Sequence, residues 1–274
     1  MSVIATKPPA AFDEALALEP AGEGLWTARP DRRYWHAVGP WGGWVLGLLL
    51  KAALTDSEDK GWPVAMSAHL MGAIAEDAPV TAAVRPVRRG RSLEFWQVEV
   101  SQNDQICAQA MITFGRRRPT EAWLEASFPD APAPESIEPP PVRPGGGGFS
   151  RMFQTRPIKG HGVQGQGRDN PTHSIIWVRD AEARPLDHVL LAAIADVFPP
   201  RILVRSPGPR AASTVTVNLY FHAPPEEIAA VGGDFILAEA VARGGGEGVC
   251  DQTATFWRRD GRLLATSEQL VWFK

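Results

Sequence analysis

A chain of 274 residues with 28 Lys and Arg against 31 Asp and Glu carries a formal net charge of -3, and its basic residues come in short runs such as Arg116-Arg117-Arg118. A nucleic-acid partner is therefore not expected. Two cysteines, Cys107 and Cys250, with no C-x-x-C pair, argue against a disulfide framework and a zinc site, so neither a metal nor a cofactor is expected. The longest apolar run begins at Trp44 and falls far short of the roughly 18 residues that span a membrane. No charged leader with an apolar core opens the chain, and a cytoplasmic protein is the expectation.

The length allows one large domain or two of about 130 residues. A short helix is expected near Phe12 to Leu18, and short strands over Gly24 to Arg29 and Arg33 to Ala37. Gly39 to Leu54 then reads as a glycine-rich entry into a hydrophobic helix that ends in the polar run Thr55 to Lys60. Glycines at a helix entry permit close approach of a backbone or a ligand, and the amides there can bind anions. Tight packing of helix on sheet accounts for them equally well.

After that helix the period changes to two. Val64 to Gly72, Val80 to Arg88, Ser92 to Gln102 and Ile106 to Phe114 read as four strands separated by turn signals, which implies an antiparallel meander covered on one face by the helix. From Arg116 to Gly148 the periodicity disappears among prolines and glycines, the composition of a linker. Trp123, Leu124 and Phe128 suggest that part of it packs down.

The pattern then repeats: short strands over Ser150 to Gln154 and His173 to Val178, a helix from Asp187 to Phe198, and strands over Thr214 to His222, Phe235 to Arg243, Val249 to Arg258 and Leu263 to Phe273. Local sequence echoes as well, Ala52-Ala53-Leu54-Thr55-Asp56 against Ala192-Ala193-Ile194-Ala195-Asp196. A tandem duplication follows, with units over 1–116 and 149–274 joined by 117–148. The second helix is apolar all round except for Asp196, beneath which Ala192 and Ala193 leave room for something to approach. An unpartnered carboxylate there has either a capping group or a function, and helix physics alone does not choose between them.

Over most of its length the chain resembles the thioesterase II (TesB-like) acyl-CoA thioesterases. The resemblance is carried by Trp41-Gly42-Gly43 leading to Gly47, by Val87-Arg88-Arg89-Gly90-Arg91-Ser92, and by the Ala195-Asp196 helix. It continues in Thr214 eight residues before His222 in the strand ending Phe221-His222-Ala223-Pro224, and in Gln269 four residues after Ala265. What the resemblance implies is an α+β double hotdog, each unit a long helix wrapped by an antiparallel sheet. The implied activity is hydrolysis of an acyl thioester to free acid and CoA, a place in lipid metabolism, and a homo-oligomer.

It also implies that Asp196, Thr214 and Gln269 hold and activate one water. A carboxylate can take its proton, a hydroxyl can donate to it and accept from it, and an amide can fix its orientation. Asp196 as nucleophile is a minority alternative. Strand alternation places Gln269 with Ala265, Ser267 and Val271 on one face, an interior polar group in need of partners. Thr214 falls on the polar face of its strand unless it precedes regular pairing, with Thr216 as the fallback. Gly42 and Gly43 are candidate oxyanion donors. Arg88 and Arg89, with Arg91, are candidates for the phosphates of CoA, and solvated turn residues explain them equally well. Asp56 lies in a solvated helix end and is assigned no catalytic role.

The main rival is a non-hydrolytic acyl-CoA or acyl-binding hotdog protein in which Asp196 is structural. A hotdog hydratase would need a histidine paired with the aspartate, and only His188 lies on that helix. A serine hydrolase is disfavoured by the missing G-x-S-x-G elbow, and Gly162 to Gly167 is no nucleotide loop. Trp41, Trp44 and Met71 are candidates for limiting the depth of an acyl tunnel.

Overall fold

The computed structural model describes residues 10–36, 39–56, 61–141, 148–160, 172–206, 208 and 210–274. The first unit begins with α1 (Ala11–Ala15), β1 (Glu19–Gly22), β2 (Leu25–Ala28), and the short pair β3 (Trp35–His36) and β4 (Gly39–Pro40). The glycine-rich entry leads into α2 (Gly42–Asp56), followed by β5 (Trp62–Leu70), β6 (Val80–Arg89), β7 (Leu93–Gln102) and β8 (Gln105–Gly115). The second unit contains β9 (Phe153–Lys159), β10 (Ser174–Asp180), α3 (His188–Ile194), α4 (Arg201–Arg205), β11 (Ala212–Phe221) and α5 (Pro225–Ala229). It closes with β12 (Ile236–Val241), β13 (Gly245–Gly246), β14 (Val249–Trp257) and β15 (Leu263–Phe273). The Gly162 to Gly167 segment lies outside the described residues.

One antiparallel sheet runs β1-β2-β6-β7-β8-β5-β11-β15-β14-β12-β10-β9, with β13 attached to β14. Its centre is the β5–β11 ladder, from Thr216 opposite His69 to Tyr220 opposite Ala65. Outward from that ladder the order on one side is β5-β8-β7-β6 and on the other β11-β15-β14-β12. In each unit the strand that follows the helix pairs with the last strand of the meander, so the duplication read from the sequence is repeated in the topology. The ladders supply the correspondence: β5 matches β11, β8 matches β15, and β7 matches β14.

The sheet wraps α2 and α3, which pack on each other. Trp44, Leu46, Leu48, Leu49 and Leu50 of α2 and all of α3 are buried in one core with Phe114, Phe221 and Phe256. A helix apolar on every side needs this enclosure. Asp187 caps α3 by accepting from the Leu190 amide at 2.8 Å.

Two expectations are corrected. The second helix stops at Ile194 rather than Phe198, and Asp196 lies on the turn beyond it, its amide donating to the Ala193 carbonyl at 3.1 Å. The apolar run continues to Phe198 because the turn is itself buried, so hydrophobicity does not mark the helix end. Trp123 and Leu124 do not pack down: Trp123 is 79% exposed. The segment that does settle begins at Phe128, whose ring meets Trp257 edge-on at 5.8 Å. Trp177 Nε1 donates to the Pro132 carbonyl at 2.9 Å, fixing the same segment over a second apolar cluster that includes Leu237 and Leu263.

Candidate active site

The turn after α3 is clamped from both units. Trp41, the residue before α2, donates its indole N–H to the Asp196 carbonyl at 2.8 Å, and Gln269 Nε2 donates to the Ala195 carbonyl at 2.9 Å. These carbonyls belong to the end of a helix, where no intrahelical donor remains, and two buried side chains supply the missing bonds. The role of Trp41 in holding the acid, beyond its place in the Trp41-Gly42-Gly43 motif and its bulk, is visible in sequence only as an indole placed just before a helix start. Its ring also stacks on Phe149, with centroids 4.9 Å apart. Of the other tunnel candidates, Trp44 donates to the Ala15 carbonyl inside the first unit and Met71 is exposed.

With its backbone so fixed, the Asp196 carboxyl, in a residue only 8% exposed, faces the start of α2. A Cβ added to Gly42 would lie 2.6 Å from Asp196 Oδ2 and 3.1 Å from Leu70 Cδ1, so the carboxylate occupies space that any side chain at 42 would need. At Gly43 an added Cβ would lie 2.4 Å from the Ala193 carbonyl oxygen and from the Trp41 ring. Both glycines are thus required by the approach of α2 to α3, and the same approach brings first-turn amides of a 15-residue helix to the acid.

Thr214 Oγ1 donates to Asp196 Oδ1 at 3.2 Å. It reaches the inner face through a β-bulge. On the β11–β15 ladder Thr214 opposes Val271 but Thr216 opposes Leu270, so Val215 is an extra residue. The bulge shifts the alternation by one: Thr214 shares the face of buried Val217 and Val271, whereas Thr216 points outward with Leu270. Strict alternation from Val217 back along the strand places Thr214 outward as well, with Val215 inward. Gln269 lies 5% exposed on the inner face, opposite Val217 on one side and Gln252 on the other.

Burial pushes the Asp196 carboxyl up to about 7, against hydrogen bonds from Thr214, the Gly43 amide and Gln269 that pull it back down. An acid held near neutrality can accept a proton at physiological pH and give it up again, the property that general base catalysis requires.

Of the residues singled out from the sequence, Asp196, Thr214, Gln269, Gly42 and Gly43 come together. Arg88 and Arg89 do not. They oppose Phe95 and Glu94 at the end of β6, on the turn side where Leu93 opposes Gly115 and Gly115 opposes Trp62. The acid is at the other end of β5, beside Leu70. The turn joining β6 and β7, which carries Arg88 and Arg89, is at the end of the sheet remote from the start of α2. Arg89 instead stacks over Trp96, 4.8 Å from the ring centroid. Asp56, at the far end of α2, accepts the Trp26 indole N–H at 3.4 Å. Among the described residues no cluster of His, Cys, Asp and Glu is arranged to hold a metal ion, and no helix is long and apolar enough to cross a membrane.

Residues 31–115 match the family model of the acyl-CoA thioesterase N-terminal domain and residues 128–273 that of the acyl-CoA thioesterase C-terminal domain. A solved protein of unknown function with a hot dog fold from Alicyclobacillus acidocaldarius is 34% identical, with 97% of this chain and 98% of that one covered and a TM-score of 0.91. A tesB protein of Mycobacterium avium subsp. paratuberculosis superposes with a TM-score of 0.78 at 21% identity, covering 96% of this chain and 98% of that one. For an acyl-CoA thioesterase II, TesB2, from Mycobacterium marinum the TM-score is 0.74 at 17% identity, again over 96% and 98% of the two chains. A search of curated proteins finds no match. The chain is a double hotdog, and with both of its halves matched it belongs to the acyl-CoA thioesterase family of thioester hydrolases.

Proposed function

We propose that this protein hydrolyses an acyl-CoA thioester to the free acid and CoA, with Asp196 as general base toward a water held by Thr214 and Gln269. The observation that carries the reading is the Asp196 carboxyl itself, buried, held near neutrality and bonded to Thr214 beside the first turn of α2. In the reaction a water proton passes to Asp196 as the water oxygen bonds to the thioester carbon. The oxygen of the resulting tetrahedral centre is negative, and the Gly42 amide is the donor proposed to receive it, the Gly43 amide being held by the Asp196 carboxyl. Collapse breaks the C–S bond, and the proton on Asp196 returns to the leaving thiolate. A cytoplasmic location and a homo-oligomer belong to the same reading.

Thiol release from a panel of acyl-CoA esters tests the activity, and a single turnover in 18O-water tests the route. General base chemistry delivers one label directly to the product acid and none to the protein. Label recovered in the Asp196 carboxyl would show an anhydride route, and absence of thiol release across the panel would leave an acyl-binding protein.

A further inference from the structure

On the inner face of the second unit, Gln269 has two polar neighbours that the chemistry above does not use. Gln252 of β14 lies directly opposite Gln269, and Ser267 is two residues back on β15, on the same face. Gln252 is 1% exposed and Ser267 2%. Neither the amide nitrogen nor the amide oxygen of Gln252, nor the Ser267 hydroxyl, has a hydrogen-bond partner among the described residues. Buried polar atoms left unpaired cost more than a hydrogen bond returns, so such a group points to something that arrives to pair with it.

The fold does not require polarity there. Through the ladder correspondence, Gln252 matches Trp96 and Ser267 matches Ala110: Val217 opposes Gln269 as Met66 opposes Ile112, and Leu219 opposes Ser267 as Ala68 opposes Ala110. In the first unit those positions are filled by a buried indole and a methyl group. The second unit has an amide smaller than the indole, and a hydroxyl, next to the catalytic candidates. An unsubstituted hydrocarbon chain would cover these atoms without pairing them.

We infer that Gln252 and Ser267 select an acyl group bearing a hydrogen-bonding oxygen, a hydroxyl or a ketone, within the first few carbons of the thioester. The inference rests on the hydrolase reading and names its substrate class. Residues directly opposite on adjacent strands have Cβ atoms about 4.5–5.5 Å apart, which sets Gln252 close to Gln269 and so to the reacting end of the chain. The amide both donates and accepts, so it serves a hydroxyl or a ketone.

The test compares kcat/KM for butanoyl- and hexanoyl-CoA with their 3-hydroxy and 3-oxo counterparts, in the wild type, Gln252→Leu and Ser267→Ala. The expected result is a preference of about tenfold or more for the oxygenated esters in the wild type, collapsing toward one in Gln252→Leu. Thermal unfolding of Gln252→Leu should be at or above the wild-type temperature, because an unpaired buried amide has been replaced by an apolar group of similar size. Equal or greater activity on the plain esters, or an equal loss on both classes in Gln252→Leu, would overturn the inference. If no ester releases thiol, the hydrolase reading fails and calorimetric binding of the same esters to the wild type decides the pocket separately. Tighter binding of the oxygenated members would uphold the selection, and equal binding would overturn it.

Discussion

The two units share one architecture and differ at the positions of the candidate site. Asp196 at the end of α3 corresponds to Asp56 at the end of α2. The bulge that turns Thr214 inward has a counterpart at the start of β5, where Pro63 opposes Phe114 and Ala65 opposes Thr113, so Pro63 stands where the second unit has Thr214. Ile112 stands where it has Gln269. Among the described residues Asp56 accepts from the Trp26 indole. The bulge is thus a property of the fold, present with or without a reactive group, and the second unit uses it to bring a hydroxyl to an acid. At the other end of the helix pair, His188 of α3 stacks on Trp62, with ring centroids 6.1 Å apart and planes 12° from parallel, and burial holds its imidazole down at about 4, neutral at pH 7.

Substitutions test this asymmetry, beginning with the acids. Asp196→Asn should lower kcat for thioester hydrolysis by about 10²–10⁴-fold, the range for loss of a general base, while Asp56→Asn should change it less than about twofold. Comparable losses in both would end the distinction between the units. Gly42→Ala should follow: the added methyl meets the Asp196 carboxylate and Leu70, and a displacement of the acid by a few tenths of an ångström to one ångström should reduce kcat by roughly 10–10²-fold. The folded state should lose about 1–3 kcal/mol, measured by denaturant unfolding, as is usual for overpacking. Thr214→Val should act through the acid. Without the hydroxyl donor the carboxylate loses one of the bonds that favour ionisation, so the acidic limb of the pH–rate profile should move to higher pH. The corresponding change, Pro63→Val, should leave that limb in place.

Stability carries the same signature. The folded-state value of Asp196, about 7, lies above its ordinary 3.8. In that interval the folded chain binds the proton more tightly than the unfolded chain does. The stability it contributes is complete below about pH 4, declines by up to about 1.4 kcal/mol per pH unit as pH rises toward 7, and is absent above that. Asp196→Asn should remove this component, so the wild type minus variant difference in unfolding free energy should fall between pH 4 and 7 and then level off. The smallest effect is expected at the remote turn: Arg88→Ala and Arg89→Ala should each change KM by less than about twofold. A tenfold rise would place those residues in the substrate site.

Most of the fold was legible because its signals are local and periodic. The four strands after α2 and the strands of the second meander could be placed by alternation, and the α2 entry by its glycines, which the approach to Asp196 and the Ala193 carbonyl requires. What escaped depends on interruptions of a period or on strand order. Val215 shifts the face of Thr214 without altering the composition of the strand. Apart from Asp196, the buried turn from Ala195 to Phe198 is as apolar as the helix before it. That Arg88 and Arg89 lie at the end of the sheet remote from Asp196 follows only from the ladder positions of β6 and β7. Gln252 reads in sequence as one polar residue of an alternating strand, and only its burial opposite Gln269 singles it out.

The central claim is that Asp196 is a base held near neutrality by its surroundings, and the pH dependence of kcat/KM for thioester hydrolysis tests it most directly. The predicted profile rises along one acidic limb with an apparent pKa near 7, and that limb shifts upward in Thr214→Val. A rate independent of pH from 5 to 8, or a limb near the ordinary carboxylate value, would contradict the assignment of Asp196 as the general base.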